Sequence, residues 1–201
     1  MRRTRRKTGT KVRNGKVARK NRTELSNHYS QVRQTETVID RRRPGEGFKH
    51  YLTIADVKRF IKLLPDWETL SVGLDAVILD EGGDCMGWYW NGIVAVCAWE
   101  REYTLDWDTV FVKEHAEVLE RLGVHCEQIE DDPDGTWCYF DDRSIKGFQL
   151  MHILLHELGH HHDQMTTKSQ VRSARGERFA ETYAMQYADR LWDEYFQVFN
   201  W

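Results

Sequence analysis

The sequence predicts an α+β fold, and three observations support this class. Short segments rich in β-branched and aromatic residues, which favour strands, lie at 75–80, 86–90 and 92–100. Residues 53–65 before them and residues 144–199 after them instead carry apolar side chains at helical spacing. No run of about 18 apolar residues occurs, so no membrane contact is expected.

The first 30 residues differ from the rest of the chain in charge. Residues 1–22 contain eleven Lys or Arg and no acidic residue, whereas the remaining residues carry 18 basic and 32 acidic side chains. We therefore expect a basic, disordered arm over 1–30 and one folded domain over 31–201. Lys/Arg clusters bind phosphates, so the arm predicts a contact with nucleic acid or an acidic partner; the alternative is a solvated tail. The N-terminus lacks the apolar stretch of a secretory signal, which favours a cytoplasmic location, and the sequence leaves the oligomeric state open.

The first structured element is predicted to be a helix at 53–65. Thr53 and Asp56 have the spacing of a capping box, and Pro65 ends the helical pattern. The three strand segments follow this helix. Asn91-Gly92, between the last two of them, predicts a tight hairpin turn.

The second half of the chain is predicted to begin with a helix and a hairpin. Residues 107–123 predict a helix that ends near a glycine, and residues 124–140 predict two strands with their turn at the Asp-Pro-Asp-Gly stretch 132–135. Two amphipathic helices follow at 144–162 and 176–199. The first is expected to bury Leu150, Met151, Leu154, Leu155 and Leu158. The second carries small residues that let another helix approach closely, namely Ala180, Ala184 and Ala188.

The four cysteines, at positions 85, 97, 126 and 138, do not form a Cys-x-x-Cys pair. Their spacing therefore indicates neither a zinc knuckle nor a thioredoxin-like redox motif. We expect buried, reduced thiols, because two disulfides would require an exported protein.

The stretch His-Glu-Leu-Gly-His-His-His-Asp at 156–163 is the main chemical signal. Residues four apart lie on one face of a helix, so His156 and His160 can direct ring nitrogens at one point. Zinc accepts neutral imidazole and leaves room for further ligands. Glu157 lies beside the pair, which suits a general base acting on metal-activated water. The competing interpretation is a histidine-rich polar face on a core helix.

HELGH at 156–160, followed by GERFAETYA at 176–184, resembles the zincin metalloproteases, and among them the gluzincin type. The resemblance implies a zincin-like fold, in which a small antiparallel or mixed sheet packs on the HExxH active-site helix and on a C-terminal glutamate helix. It implies a zinc-dependent peptidase that hydrolyses protein or peptide substrates, with Glu157 as general base. The implied Zn²⁺ ligands are His156, His160 and Glu177.

Two glutamates compete for the third ligand position. Glu177, in a Glu-x-Phe-Ala stretch, resembles the third-ligand glutamate of gluzincin aminopeptidases, while Glu181 would accept a hydrogen bond from the free nitrogen of a ligand histidine. The reverse assignment stays open. A metzincin site does not fit, because it needs a glycine and a histidine where Asp163 and Thr166 stand.

The other polar residues of the stretch have less defined roles. His152 and Asp163 lie near the ligand face and are expected to pack, to meet solvent, or to support or replace a ligand. His161 and His162 are expected to point to solvent. The alternative function is a nucleic-acid- or partner-binding protein with a non-catalytic zincin-like domain, and a purely structural zinc site is the weaker third hypothesis.

Overall fold

The computed structural model describes residues 33–167 and 175–201, together with the backbone of two short strands nearer the N-terminus. In chain order the elements are β1 (Val12–Arg13), β2 (Lys16–Val17), β3 (Val38–Arg41), β4 (Phe48–Lys49), α1 (Ile54–Ile61), α2 (Trp67–Leu70), β5 (Ala76–Asp80), β6 (Gly87–Trp90), β7 (Ile93–Cys97), β8 (Trp99–Glu100), β9 (Thr104–Asp108), α3 (Thr109–Glu114), α4 (Ala116–Arg121), β10 (His125–Ile129), β11 (Asp132–Tyr139), α5 (Asp142–Phe148), a π-helical segment (Gln149–Leu154), α6 (Leu155–Thr166) and α7 (Glu177–Phe199). The α+β class is confirmed. The basic arm predicted at 1–30 lies outside the described residues, apart from the antiparallel pairing of β1 with β2.

The larger sheet has four strands in the order β3-β5-β7-β6. The strands β3, β5 and β7 run parallel, and β6 returns antiparallel at one edge, so the sheet is mixed. Every residue of β5 and β7 is buried, in agreement with their continuous apolar sequences. The predicted hairpin is confirmed, since Asn91 and Gly92 join β6 to β7 with φ angles of 43° and 84°.

The three-stranded sheet, in the order β10-β11-β9, departs from the predictions. The hairpin of β10 and β11 exists, but the chain turns at 130–131, and the Asp-Pro-Asp-Gly stretch lies inside β11. The strand pairing is irregular between Gln128 and Ile129. The Gln128 amide donates to three backbone carbonyl oxygens of that stretch, which explains why it does not form the turn.

The predicted helix at 107–123 is wrong in two respects. Its first residues belong to β9, and α3 starts only after Asp108, whose carboxylate accepts hydrogen bonds from the backbone N–H groups of Val110 and Phe111. The helix is also broken at His115, so α4 is a separate element. This break directs the His115 ring into the interior.

The other predicted helices follow the predictions more closely. The helix α1 has the expected capping box between Thr53 and Asp56. The predicted helix at 144–162 consists of α5, the π-helical segment and α6, and all five apolar residues expected on its inner face are buried. The helices α6 and α7 approach closely, because a Cβ added to Gly159 would be 2.9 Å from the Cα of Ala180.

The packing places α6 between the larger sheet and α7, with contacts to β6, β7 and α7. Cys97 and Cys138 are buried, and Cys85 and Cys126 are half-buried. Within 33–167 and 175–201, no helix combines the length and the apolar character needed to cross a bilayer.

Candidate metal centre

The two histidines predicted as ligands lie on one face of α6, opposite the first turn of α7. The rings of His156 and His160 have centroids 4.9 Å apart and are nearly perpendicular. The Oε2 atom of Glu177 is 3.3 Å from Nε2 of His156 and 3.7 Å from Nε2 of His160. The fold thus brings together the three residues that the sequence predicts as ligands.

The spacing of these three atoms suits a zinc ion. Two ligands of a tetrahedral Zn²⁺, each about 2.0–2.1 Å from the ion, are roughly 3.3–3.4 Å from one another. The ligand atoms of His156, His160 and Glu177 all lie within 4.8 Å of each other, so small side-chain rotations reach that arrangement. The Glu177 side chain is 56% exposed, which leaves the site open to solvent on one side.

Glu181 lies behind His156 and not with the ligand atoms. Its Oε2 atom is 3.0 Å from Nδ1 of His156. Because a carboxylate accepts hydrogen bonds, Nδ1 carries a proton, and Nε2, which faces Glu177, is the ring nitrogen left to bind a metal ion. Metal-binding histidines usually have such an orienting acceptor on their second nitrogen. Glu177 thus lies at Nε2 of His156, and Glu181 lies at Nδ1.

The carboxylates create a negative environment around His156. Burial alone would lower the pKa of His156, but hydrogen bonds to Glu177 and Glu181, together with the charge of Glu157, raise this pKa to about 10. Hydrogen bonds from His156 and His160 hold the pKa of Glu177 well below its usual range. Burial would raise the pKa of Glu181, but the histidines beside it lower it strongly. The negative charge of these carboxylates also attracts a metal cation, which must displace the proton from Nε2 of His156 to bind there.

Glu157 is buried between α6 and the edge strand β6. Only 7% of the residue is exposed. A Cβ added to Gly87 would be 2.8 Å from Oε1 of Glu157 and 2.7 Å from Cγ2 of Ile153. Gly87 therefore makes room for this carboxylate, a role that the sequence analysis missed. A glycine inside a strand-forming segment is the signal that could have revealed it, since such glycines mark a close approach.

The expectation that His161 points to solvent is wrong. The residue is 1% exposed, and its Nε2 lies 3.0 Å from the backbone oxygen of Val72, to which it donates. Its Nδ1 then accepts from the hydroxyl of Tyr89 at 3.3 Å. The segment before β5 covers this side of α6, which the helical pattern alone could not show. His162 is half-buried and stacks on Tyr183.

Asp163 joins the end of α6 to the start of α7. Its buried carboxylate accepts hydrogen bonds from Nε of Arg175 at 2.6 Å and from the backbone N–H of Gly176 at 3.2 Å. The hydroxyl of Thr167 donates to the same carboxylate at 3.0 Å. Because Gly176 directly precedes α7, these bonds fix the position of Glu177. Asp163 is a positioning residue and lies outside the ligand set.

His152 is buried one helical turn before His156, with ring centroids 6.0 Å apart, and also lies next to Glu181. Its Nδ1 lies 3.8 Å from Oε1 of Glu181, and its ring contacts that of His115 edge-on. His115 was not predicted as part of any site. The sequence predicted one continuous helix over 107–123. It therefore did not indicate that the chain breaks at His115, whose ring lies next to Glu181 of α7.

Glu181 orients His156, Asp163 fixes the start of α7, and Glu177 faces both histidines. Comparison of the chain with protein-family models, with curated proteins and with solved structures gave no significant match.

Proposed function

We propose that this chain is a zinc-dependent peptidase in which His156, His160 and Glu177 hold the ion. The observation that carries the proposal is the arrangement around His156, whose Nδ1 donates to Glu181 while its Nε2 lies 3.3 Å from Glu177. A bound Zn²⁺ supplies the positive charge that acidifies a water molecule and polarises a carbonyl group.

Glu157 is the general base of the proposed reaction. Its carboxylate follows His156 directly in α6 and lies against β6 at Gly87. In this position it accepts a proton from the attacking water and returns it to the leaving amine of the cleaved peptide. Glu157 lies outside the proposed ligand set, and a buried carboxylate directly after His156 suits a general base, which favours catalysis over a purely structural zinc site.

The strand β6 supports a peptide as the substrate. In the described part of the chain it pairs with β7 on one side only, and it lies directly against α6. An extended peptide can add to such an edge through its main-chain N–H and C=O groups, without a requirement for particular side chains. A peptide bound in this way passes close to Gly87 and hence to Glu157.

The substitution Glu157→Gln tests the proposal. It removes the proton acceptor but keeps the shape, so we expect unchanged zinc content and a fall in peptide hydrolysis of about 10²–10⁴-fold. Turnover is measured on a mixture of unstructured peptides, and zinc by mass spectrometry. The matched control is Glu194→Gln, at an exposed position of α7. Hydrolysis that persists in Glu157→Gln at the rate of this control contradicts the assigned role.

A further inference from the structure

We infer that the chain binds a second divalent metal ion, at a buried site formed by His115, His152 and Glu181. These residues come from the junction of α3 and α4, from the π-helical segment and from α7. None of them belongs to the ligand set proposed for the first ion. The inference therefore goes beyond the proposed function and does not depend on it.

One oxygen of Glu181 faces both histidines. Its Oε1 lies 3.2 Å from Nε2 of His115 and 3.8 Å from Nδ1 of His152. The ligand atoms of the three residues all lie within 4.8 Å of one another, and the two imidazole rings have centroids 4.5 Å apart. The spacing is thus comparable to that of the His156, His160 and Glu177 cluster.

Two atoms of this cluster are buried and lack a hydrogen-bond partner among the described residues: Nε2 of His115 and Oε1 of Glu181. They are close enough for an ion pair, but their orientation is not that of a hydrogen bond. Nδ1 of His115 lies 2.7 Å from the backbone oxygen of Phe111 and therefore donates to it. That bond leaves Nε2, which faces Oε1 of Glu181, as the ring nitrogen that can bind a metal ion.

Unpaired polar atoms in a buried position are costly, and native proteins rarely leave them without a partner. His115 is only 5% exposed and His152 only 8%, so solvent does not readily supply one. A cation between the two histidines and Glu181 would be bound by both of these atoms, Nε2 of His115 and Oε1 of Glu181. Nε2 of His115 and Oε1 of Glu181, both buried without a hydrogen-bond partner among the described residues, are an observation independent of residue type that points to an ion.

The ligand types indicate the class of ion. Two imidazole nitrogens and one carboxylate suit Zn²⁺ and its neighbouring transition metals, whereas Ca²⁺ and Mg²⁺ require mainly oxygen ligands. Glu181 connects the two sites, because Oε2 accepts from His156 while Oε1 faces His115 and His152. A single carboxylate would thus orient a ligand of the first ion and bind the second.

Zinc stoichiometry tests the inference. Purified full-length protein is equilibrated with zinc at neutral pH, desalted and analysed by mass spectrometry under native conditions. We expect two ions per chain in the wild type, one in His115→Phe and one in His160→Ala, and none in the double variant. Phenylalanine suits position 115 because the ring there already stacks on Phe111. The control His125→Phe changes an exposed histidine and should retain two ions.

The outcomes separate this inference from the proposed function. A single ion that is lost in His160→Ala and kept in His115→Phe overturns the second site. A single ion that is lost in His115→Phe and kept in His160→Ala supports the second site and contradicts the first. A wild type that binds no zinc contradicts both sites. If His115→Phe does not fold, crystals of the wild type soaked in zinc decide the matter. An anomalous-scattering peak between His115, His152 and Glu181 supports the site, and its absence overturns it.

Discussion

At the scale of single residues, two glutamates one turn apart on α7 have different positions relative to the same histidine. Glu177 lies at Nε2 of His156, and Glu181 lies at Nδ1. Residue type alone cannot distinguish them. The difference follows from where α7 begins, since the first residue of the helix reaches across to the His156–His160 pair and the fifth reaches behind it.

This difference predicts unequal effects of two substitutions on zinc affinity. We expect Glu177→Ala to abolish zinc binding at the His156 site, because a direct ligand is lost. Glu181→Ala should weaken binding by roughly 10–100-fold, because only the orientation of His156 is lost. Zinc affinity is best measured by competition with a chelator in the His115→Phe background, where only this site is counted. If Glu181→Ala abolishes binding while Glu177→Ala has the smaller effect, the two roles are reversed.

The site residues that could be predicted from sequence are those linked by local spacing. His156 and His160 share a helix face through their separation of four, and Glu177 was identified through a short motif. His115 and Gly87 could not be identified in this way, because each reaches the site only through the packing of distant elements. The expectation that His161 points to solvent was wrong for the same reason, since the chain near Val72 covers this side chain.

At the scale of elements, the sequence predicted correctly those helices and strands whose ends contain a recognisable cap or turn motif. The capping box of Thr53 and Asp56 begins α1, and Asn91-Gly92 joins β6 to β7. The predictions failed where a tertiary contact overrides the local preference. Gln128 holds the Asp-Pro-Asp-Gly stretch inside a strand. The helix predicted over 107–123 loses its first residues to β9 and is broken at His115.

The connection between α6 and α7 predicts a pH-dependent contribution to stability. Burial would raise the pKa of Asp163, but hydrogen bonds from Arg175, Thr167 and the N–H of Gly176 lower it below its ordinary value. The ionised form therefore stabilises the fold above the unfolded pKa of about 3.9, and this stabilisation is lost as the pH falls through the lower folded value.

We accordingly expect Asp163→Asn to reduce the free energy of unfolding at pH 7 by about 1–2 kcal/mol, a value that allows for the partial exposure of Arg175. The difference from the wild type should stay constant down to about pH 5 and shrink below it. Urea unfolding of the metal-free proteins over this pH range measures the effect, with Asp189→Asn on the exposed face of α7 as control. A difference that is absent at pH 7, or that grows in acid, would show that the Asp163 carboxylate does not connect the helices.

At the scale of the whole molecule, the chain combines a basic N-terminal segment with an acidic body. The prediction that residues 1–30 contact nucleic acid or an acidic partner stays a prediction, since that segment lies outside the described residues. The folded part explains how the candidate site is assembled. The helix α6 carries the histidines, the sheet edge lies on one side of it, and α7 supplies both glutamates on the other.

The central claim is that His156, His160 and Glu177 form a zinc site, and the zinc content of the purified protein tests it most directly. Wild type, His156→Ala and Glu177→Ala are each equilibrated with zinc at neutral pH, desalted and analysed by mass spectrometry. We predict that each variant folds and holds one zinc ion per chain fewer than the wild type. A wild type that stays free of zinc, or variants that keep its full zinc content, would contradict the claim.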